Sequence, residues 1–260
     1  MKNKHIYLQL VALYTIVHHE WVRMFRISIQ AFLPSVITTL LYFSIFGAIV
    51  GRRIGLVEGL DYSTYIAPGL VMIAVINNAY TNTSSSLFTA RFQRSIEEVL
   101  ISPIHYSLML FGYILGGILR GVIVAALVLL VSAYFIDIRL EQLPFTFLVV
   151  ILIACLFSLA GFTNGILAKT FDDVMIVPTF VLSPLTYLGG VFYSIHMLSS
   201  FWYHLALFNP IFYMVDLLRY SMVNHPSQHV IPALSVMCAL IIGLFSLNLF
   251  LVKRGTGIRD

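Results

Sequence analysis

The sequence predicts an all-α integral membrane protein. It should have an N-terminal amphipathic interfacial helix, six transmembrane helices, short re-entrant or outer-leaflet helices between spans 5 and 6, and both termini in the cytoplasm. Three observations carry this. Hydrophobic residues fill 60% of the 260 positions and charged residues 10%, against roughly 25% charged in a soluble domain. Mean hydropathy is +0.95, more than one water-facing core can hide. The charges bracket long apolar stretches: none lies between Arg26 and Arg52, Asp61 and Arg91, Glu98 and Arg120, Glu141 and Lys169, Asp173 and Asp216, or Arg219 and Lys253. A helix crosses the hydrocarbon core with about 20 mostly apolar residues. The stretches are too long, and too little alternating, for barrel strands.

Residues 5–26 predict a helix along the membrane surface. Ile6, Leu10, Leu13, Val17 and Trp21 recur at helical spacing, with His19, Arg23 and Arg26 off that stripe. Lys2 and Lys4 ahead of an apolar run imitate a signal peptide. His18, His19 and Glu20 stand where a small-residue cleavage site would, so no cleavage is expected.

The first span is expected over Ile29–Val50, with Pro34 tolerated in its first turn. The second covers Ser63–Ser85 and is polar in its second half. The third covers Ile104–Tyr134, with Arg120 inside it. The fourth covers Pro144–Ala168, the fifth Val174–Tyr193 and the sixth Val230–Val252. Arg52, Arg53, Glu58 and Asp61 mark one loop, Asp137, Arg139 and Glu141 another, and Lys169, Asp172 and Asp173 a tight turn. Residues 194–229 are apolar enough in part for a seventh span, but Asn209–Pro210 breaks a helix there. Seven spans would also separate the two basic termini. One or two short helices dipping into the outer leaflet, carrying Trp202, Tyr203, Phe208, Phe212 and Tyr213, fit better. The six spans use up the chain, so residues 1–260 read as one membrane domain.

Orientation follows from Lys and Arg. Ten lie on the side of the termini and four on the other, so the ten-residue side is cytoplasmic. The net charge of +4 fits anionic headgroups, and no nucleic-acid partner is expected. Cys155 and Cys238 sit in apolar stretches and read as small packing residues without a disulfide.

Residues 87–103 (LFTARFQRSIEEVLISP) form the only inner loop between spans long enough for a helix of its own. Arg91, Arg94, Glu97 and Glu98 are spaced to pair along one face, and Phe88, Phe92, Ile96, Val99 and Leu100 line the other. Such a helix can dock a cytoplasmic partner, or lie with its apolar face on lipid.

With these features the chain resembles a permease subunit of an ABC-2 type ATP-binding-cassette transporter, nearest in wording to the YadH/NodJ-like branch. The resemblance rests on the surface helix, the six spans, the Arg/Glu-rich helix ending in Leu100–Pro103, and the run Ser183–Tyr220, with Gly189–Gly190, Asn209–Pro210 and Arg219 in order. It covers essentially the whole chain. It implies an outer-leaflet gate at Gly189, Gly190, Asn209, Pro210, Asp216 and Arg219. It also implies a coupling helix, Arg91–Leu100, seated on a separate cytoplasmic ATPase through Arg91, Phe92, Arg94, Ile96, Glu97, Glu98 and Leu100. Two permease copies and two ATPase copies would form the working unit in the bacterial inner membrane. No Lys follows a Gly, so the chain lacks a phosphate-binding loop; ATP and Mg belong to the partner, and no cofactor or metal is expected here. The cargo implied is amphipathic or lipid-linked: a lipid, a polysaccharide or a drug.

Asn77, Asn78, Asn82 and Ser85 are candidates to line the pathway, or polar glue between helices. Arg120, costly inside a span, reads either as a contact for an anionic headgroup or as a tie to the second span. Gly112, Gly116, Gly117 and Gly121 permit close helix approach within a subunit or across a dimer. Asp216 and Arg219 are spaced to pair within a helix. His225 and His229 could ligate metal on a helix, but Pro226 intervenes and no third ligand is near. An intramembrane enzyme would need a Gly-x-Ser nucleophile and a deep His, and neither occurs. An ATP-independent transporter or channel should show inverted repeats or interrupted helices at the midplane, and no repeat is found.

Overall fold

The computed structural model describes residues 2–102, 104–138, 142–223, 225–227 and 229–255. Pro103, Arg139, Glu141 and Arg259, used above to mark loops and orientation, lie outside the described residues. Almost everything described is helical, apart from one small hairpin.

Three long helices make the centre. α4 (Tyr62–Phe92), α6 (Tyr106–Phe135) and α7 (Leu143–Leu167) pack mainly on one another. α4 has 31 residues, about 46 Å at 1.5 Å per residue. It runs through the expected second span and on into the segment assigned to a separate inner helix. Most of it is buried, which explains how so polar a helix is tolerated: Asn78, Asn82, Thr83, Ser84 and Ser86 are buried and find hydrogen-bond partners there. Gly161 of α7 lies over the backbone of Tyr80, and Gly117 of α6 faces Ser158 and Thr83. A side chain at either position would hold these helices apart.

Around the centre sit α1 (Lys2–Arg26), α2 (Ser28–Tyr42), α11 (Pro210–Val223) and α12 (Val230–Arg254). α1 runs alongside the first half of α6. Its Gln9 side-chain oxygen accepts from the His105 backbone N–H (2.9 Å), Ile16 faces Gly112, and Glu20 faces Gly116. The buried seam of α1 is therefore Ile16, Glu20 and Met24, while Ile6, Leu10 and Trp21 of the expected apolar stripe point outward. The glycines of the third span thus serve contacts inside the chain. α12 is tied to α7 by Thr163 and Asn248: the Thr163 hydroxyl donates to Asn248 Oδ1 (2.8 Å), and Asn248 Nδ2 donates to the Leu159 carbonyl (2.9 Å). α12 ends where sequence chemistry says it should, with Lys253 and Arg254 in the last turn and Gly255 left-handed at φ +73°.

After α2 the backbone widens into a π-helical stretch, Phe43–Val50, and closes with α3 (Gly51–Ile54). A hairpin follows, β1 (Leu56–Val57) and β2 (Leu60–Asp61), turned by Glu58 and Gly59, both with positive φ as a tight two-residue turn requires. The fifth expected span is built from α8 (Phe171–Val177), a second π-helical stretch (Pro178–Leu182) and α9 (Ser183–Leu188). Thr170 and Asp173 form a capping box at its start, where the tight turn was expected.

Five of the described helical segments are long and apolar enough to cross a membrane: Ser28–Gly47, Tyr106–Phe135, Leu143–Leu167, Phe171–Leu188 and Val230–Arg254. α4 is long enough, but its polar second half leaves it outside that set. Residues 194–229 contain a short 3-10 turn (Ile195–Met197), α10 (Ser200–Leu207) and α11, separated at Asn209–Pro210. Asn209 caps α11 by accepting from the Ile211 N–H (3.0 Å) and donates to the Leu185 carbonyl (2.6 Å).

Candidate functional site

The polar second half of α4 becomes the hub of a charged network. Asn82 Oδ1 accepts from Arg23 Nη2 of α1 (2.9 Å) and from Arg120 Nη1 of α6 (3.4 Å). Arg120 Nε donates to Asn78 Oδ1 (3.1 Å), and Asn78 Nδ2 donates to Ser35 of α2 (2.9 Å) and the Ala74 carbonyl (2.9 Å). Glu20 closes the inner end. Only 2% exposed, its carboxylate accepts from Arg23 (2.9 Å), Asn82 (3.4 Å) and the Ser86 hydroxyl. Four helices are thereby joined through one polar row. Two guanidinium groups share one amide oxygen, and one carboxylate stands beside them.

Of the pathway candidates, the fold brings Asn78, Asn82 and Arg120 together and sets Ser85 at the edge, its hydroxyl bonded to the Asn82 carbonyl (3.3 Å). Asn77 turns out of the row, toward a small cavity of about 150 Å³ between α2 and α4. Glu20 was not among the candidates. The one signal for it was an acid three residues before Arg23, at helical spacing, on a segment otherwise apolar or basic.

At the C-terminal end of α4 the expected single helix over 87–103 is interrupted. α4 stops at Phe92, Arg94 takes a left-handed φ of +59°, and α5 (Ile96–Ile101) starts afresh. Arg91 turns into the protein and donates to the carbonyls of Gly165 (2.7 Å) and Ala168 (3.0 Å), filling acceptors at the end of α7. Ile96 is buried, and Leu100 packs partly. Phe92, Arg94, Glu97, Glu98 and Ile101 are exposed. Phe92, Phe88 and Phe171 form an aromatic cluster, with Phe92 and Phe171 rings 5.3 Å apart and both largely exposed.

The opposite end holds a cavity of about 410 Å³ bordered by Glu58, Tyr65, Gly190, Asp216, Arg219 and the 225–229 loop. Arg219 is 3% exposed. Its guanidinium lies 3.8 Å over the Tyr65 ring and donates to the carbonyls of Gly190 (3.0 Å) and Tyr65 (3.4 Å). Gly190, at φ +72°, makes the turn that presents this carbonyl, and Gly189 lies against Ile211. Asp216 is not the ion-pair partner of Arg219 that its spacing predicts. It takes the Ser227 hydroxyl and faces His229 Nδ1 at 3.6 Å. Glu58, aimed inward by the hairpin turn, accepts from Ser194 and lies 3.4 Å from His225 Nε2. His225 and His229 thus stand in a loop, each beside its own carboxylate, and no cluster fit for a metal ion occurs among the described residues. Asn209 and Pro210 sit at the start of α11, away from these charges.

The polar row lies in a helical bundle that carries apolar helices long enough to cross a membrane, with an exposed knob at one end and a polar cavity at the other, and similarity to known proteins says which family builds such a bundle. The chain is 44% identical over 255 residues, 98% of its length and 100% of the relative, to the "Inner membrane transport permease YadH" of Escherichia coli (strain K12). It is 24% identical over 216 residues to "Nodulation protein J" of Rhizobium leguminosarum bv. trifolii, covering 83% of this chain and 82% of that protein. Nodulation protein J of Rhizobium meliloti (strain 1021) is 20% identical over 230 residues, 88% of each chain. Residues 11–223 match the family described as "ABC-2 type transporter". With the helical bundle and its apolar segments, this makes the chain a multi-pass inner-membrane transport permease, and it belongs to the ABC-2 type transporter family.

Proposed function

We propose that the chain is the membrane subunit of an ATP-driven exporter, moving an amphipathic or lipid-linked substrate outward with energy from a separate ATPase. In this reading α4 crosses the membrane as the second of six spans, both termini face the cytoplasm, and α10 and α11 dip into the outer leaflet. Two copies of the permease and two of the ATPase form the working unit, with the path between the permeases.

The observation that carries the reading is the knob at the inner end of α4. Phe92, Ile101 and Phe171 expose apolar surface beside Arg94, Glu97 and Glu98, on a turn anchored from behind by Ile96 and Arg91. A rigidly based knob with an apolar tip and a charged rim suits docking into a groove on a soluble partner. ATP binding would then bias the permease toward one state through contacts made there.

Copurification and transport test this reading. The Arg94→Ala/Glu97→Ala double variant should stay folded and lose the coupling of transport to ATP hydrolysis. Normal copurification with the ATPase and normal transport by that variant would sink the docking assignment. Transport by the permease alone in vesicles without nucleotide would sink the ATP-driven reading.

A further inference from the structure

We infer that the groove between α1 and the inner end of α4 seats the phosphate of an anionic phospholipid headgroup from the inner leaflet. The groove encloses about 320 Å³ and is bordered by His19, Arg23 and Arg26 of α1 and by Thr89, Gln93 and Ser95 of the α4 end. Its charge is unbalanced. Glu20 is the carboxylate of the polar row, and its oxygens are taken up by Arg23, Asn82 and Ser86. Against it stand Arg23, Arg26 and, through the shared Asn82 oxygen, Arg120. Glu98 borders the adjoining cavity, which shares His19, Ser86, Ala90 and Ser95 with the groove, and makes no ion pair with these arginines among the described residues. Two guanidinium charges of this group therefore have no ion-pair partner among the described residues.

The donors are also free. Arg23 Nε is buried without a hydrogen-bond partner, a costly state that an acceptor in the groove would relieve. Arg26 is exposed and makes no hydrogen bond or ion pair among the described residues. Guanidinium groups suit a phosphate because their planar forks match its oxygens.

A lipid, rather than a soluble phosphate, follows from the groove's border. Trp21, Val22 and Phe25 are exposed on α1 beside the two arginines, with Trp21 and Phe25 rings 4.6 Å apart. Phe25 reaches Phe32 of α2 at 6.4 Å. An aromatic and aliphatic rim next to a basic pocket offers acyl chains one surface and a headgroup the other. The assignment rests on the inner-leaflet placement of α1 given above. Its test reads lipid binding by the permease alone, so its failure leaves the transport reading standing.

Trp21 supplies the probe. The chain has two tryptophans, and Trp202→Phe leaves Trp21 as the sole emitter. The full-length variant is placed in phosphatidylcholine nanodiscs, and brominated phosphatidylglycerol or brominated phosphatidylcholine is added in steps. Half-maximal quenching should need about five-fold less of the anionic lipid, the effect of roughly one basic side chain at a membrane surface. Arg26→Gln should merge the two curves, and Arg26→Lys should keep them apart. Superimposed curves in the parent, an unchanged preference in Arg26→Gln, or loss of preference in Arg26→Lys would each overturn the proposal. Abolition of the preference by millimolar inorganic phosphate or ATP would reassign the groove to a soluble phosphate and overturn it too. Persistence of the preference under those conditions supports the lipid.

Discussion

The polar row along α4 and the cavity at the opposite end of the bundle both hide a charge, and they hold it differently. Glu20 is fixed by side chains on α1 and α4, all within long helices, and its partner Arg23 reaches the same Asn82 as Arg120 of α6. Arg219 is fixed mostly by backbone, the carbonyls of the Gly190 turn and of Tyr65, and the acids around it bond to residues in loops: Glu58 to Ser194, Asp216 to Ser227. One joint is built from carboxylate, guanidinium and amide side chains. The other adds two imidazoles, His225 and His229, each beside a carboxylate. The polar row staples rods to rods, and the cavity staples loops to a rod. Damage to the first should be felt by the whole bundle, damage to the second by its own loops alone.

Glu20→Ala should give the largest effect. It leaves the part-buried Arg23 with only the two Asn82 oxygens as acceptors and leaves Asn82 and Ser86 without the carboxylate, where breaking a fully buried pair costs about 3–5 kcal/mol as an upper bound. Thermal unfolding in detergent should fall sharply, with Glu20→Gln falling less because it still accepts. An unchanged midpoint in Glu20→Ala would erase the contrast between the two regions. Next is Arg219→Ala, which leaves the carbonyls of Gly190 and Tyr65 without their donor, at about 1–3 kcal/mol. Its signature should be faster hydrogen exchange over 189–195 with little change in α6 and α7. Equal acceleration in those helices would show that the cavity site also holds the bundle.

Gly116→Val should come third. A Cβ at 116 would sit 2.8 Å from the Glu20 side chain, so α1 must shift, at a cost of about 1–3 kcal/mol. Crosslinking between cysteines placed at positions 9 and 105 should drop in this variant and stay normal in Arg219→Ala. The smallest effect on stability belongs to Arg94→Ala/Glu97→Ala. These side chains are exposed, so the midpoint should move by no more than about 0.5 kcal/mol while coupled transport is lost.

Much of this was legible in the sequence because lipid imposes simple rules. Charges delimit the long helices, Asn209–Pro210 breaks the 194–229 segment, and the turn read at Lys169, Asp172 and Asp173 falls at the start of α8. Tertiary choice of partners was not legible. Asp216 and Arg219 have ideal spacing to pair, yet Arg219 is closer to a ring and two carbonyls, and Asp216 to a loop hydroxyl. Arg120 announced that it needed acceptors, and the polar half of α4 was the natural place to look, but that Asn82 would be shared with Arg23 depends on how α1 lies on α6. The apolar stripe of α1 likewise marked its outer face, so the seam that touches protein was read one step off. The inner segment reads as a continuous amphipathic helix because its composition is even. The break comes from the left-handed turn at Arg94, a residue type with no special preference for that conformation.

Arg91 gives the inner knob a mechanical character. By filling two carbonyls at the end of α7 from the last turn of α4, it couples those helices like parallel struts pinned at one end. A load applied at Phe92 or α5 is therefore divided between both struts at its point of application, and the pair moves as a single lever. Shortening that pin would make the lever a pair of independent springs, and in the proposed exporter a push at the knob would be spent in shear before it reached the far cavity.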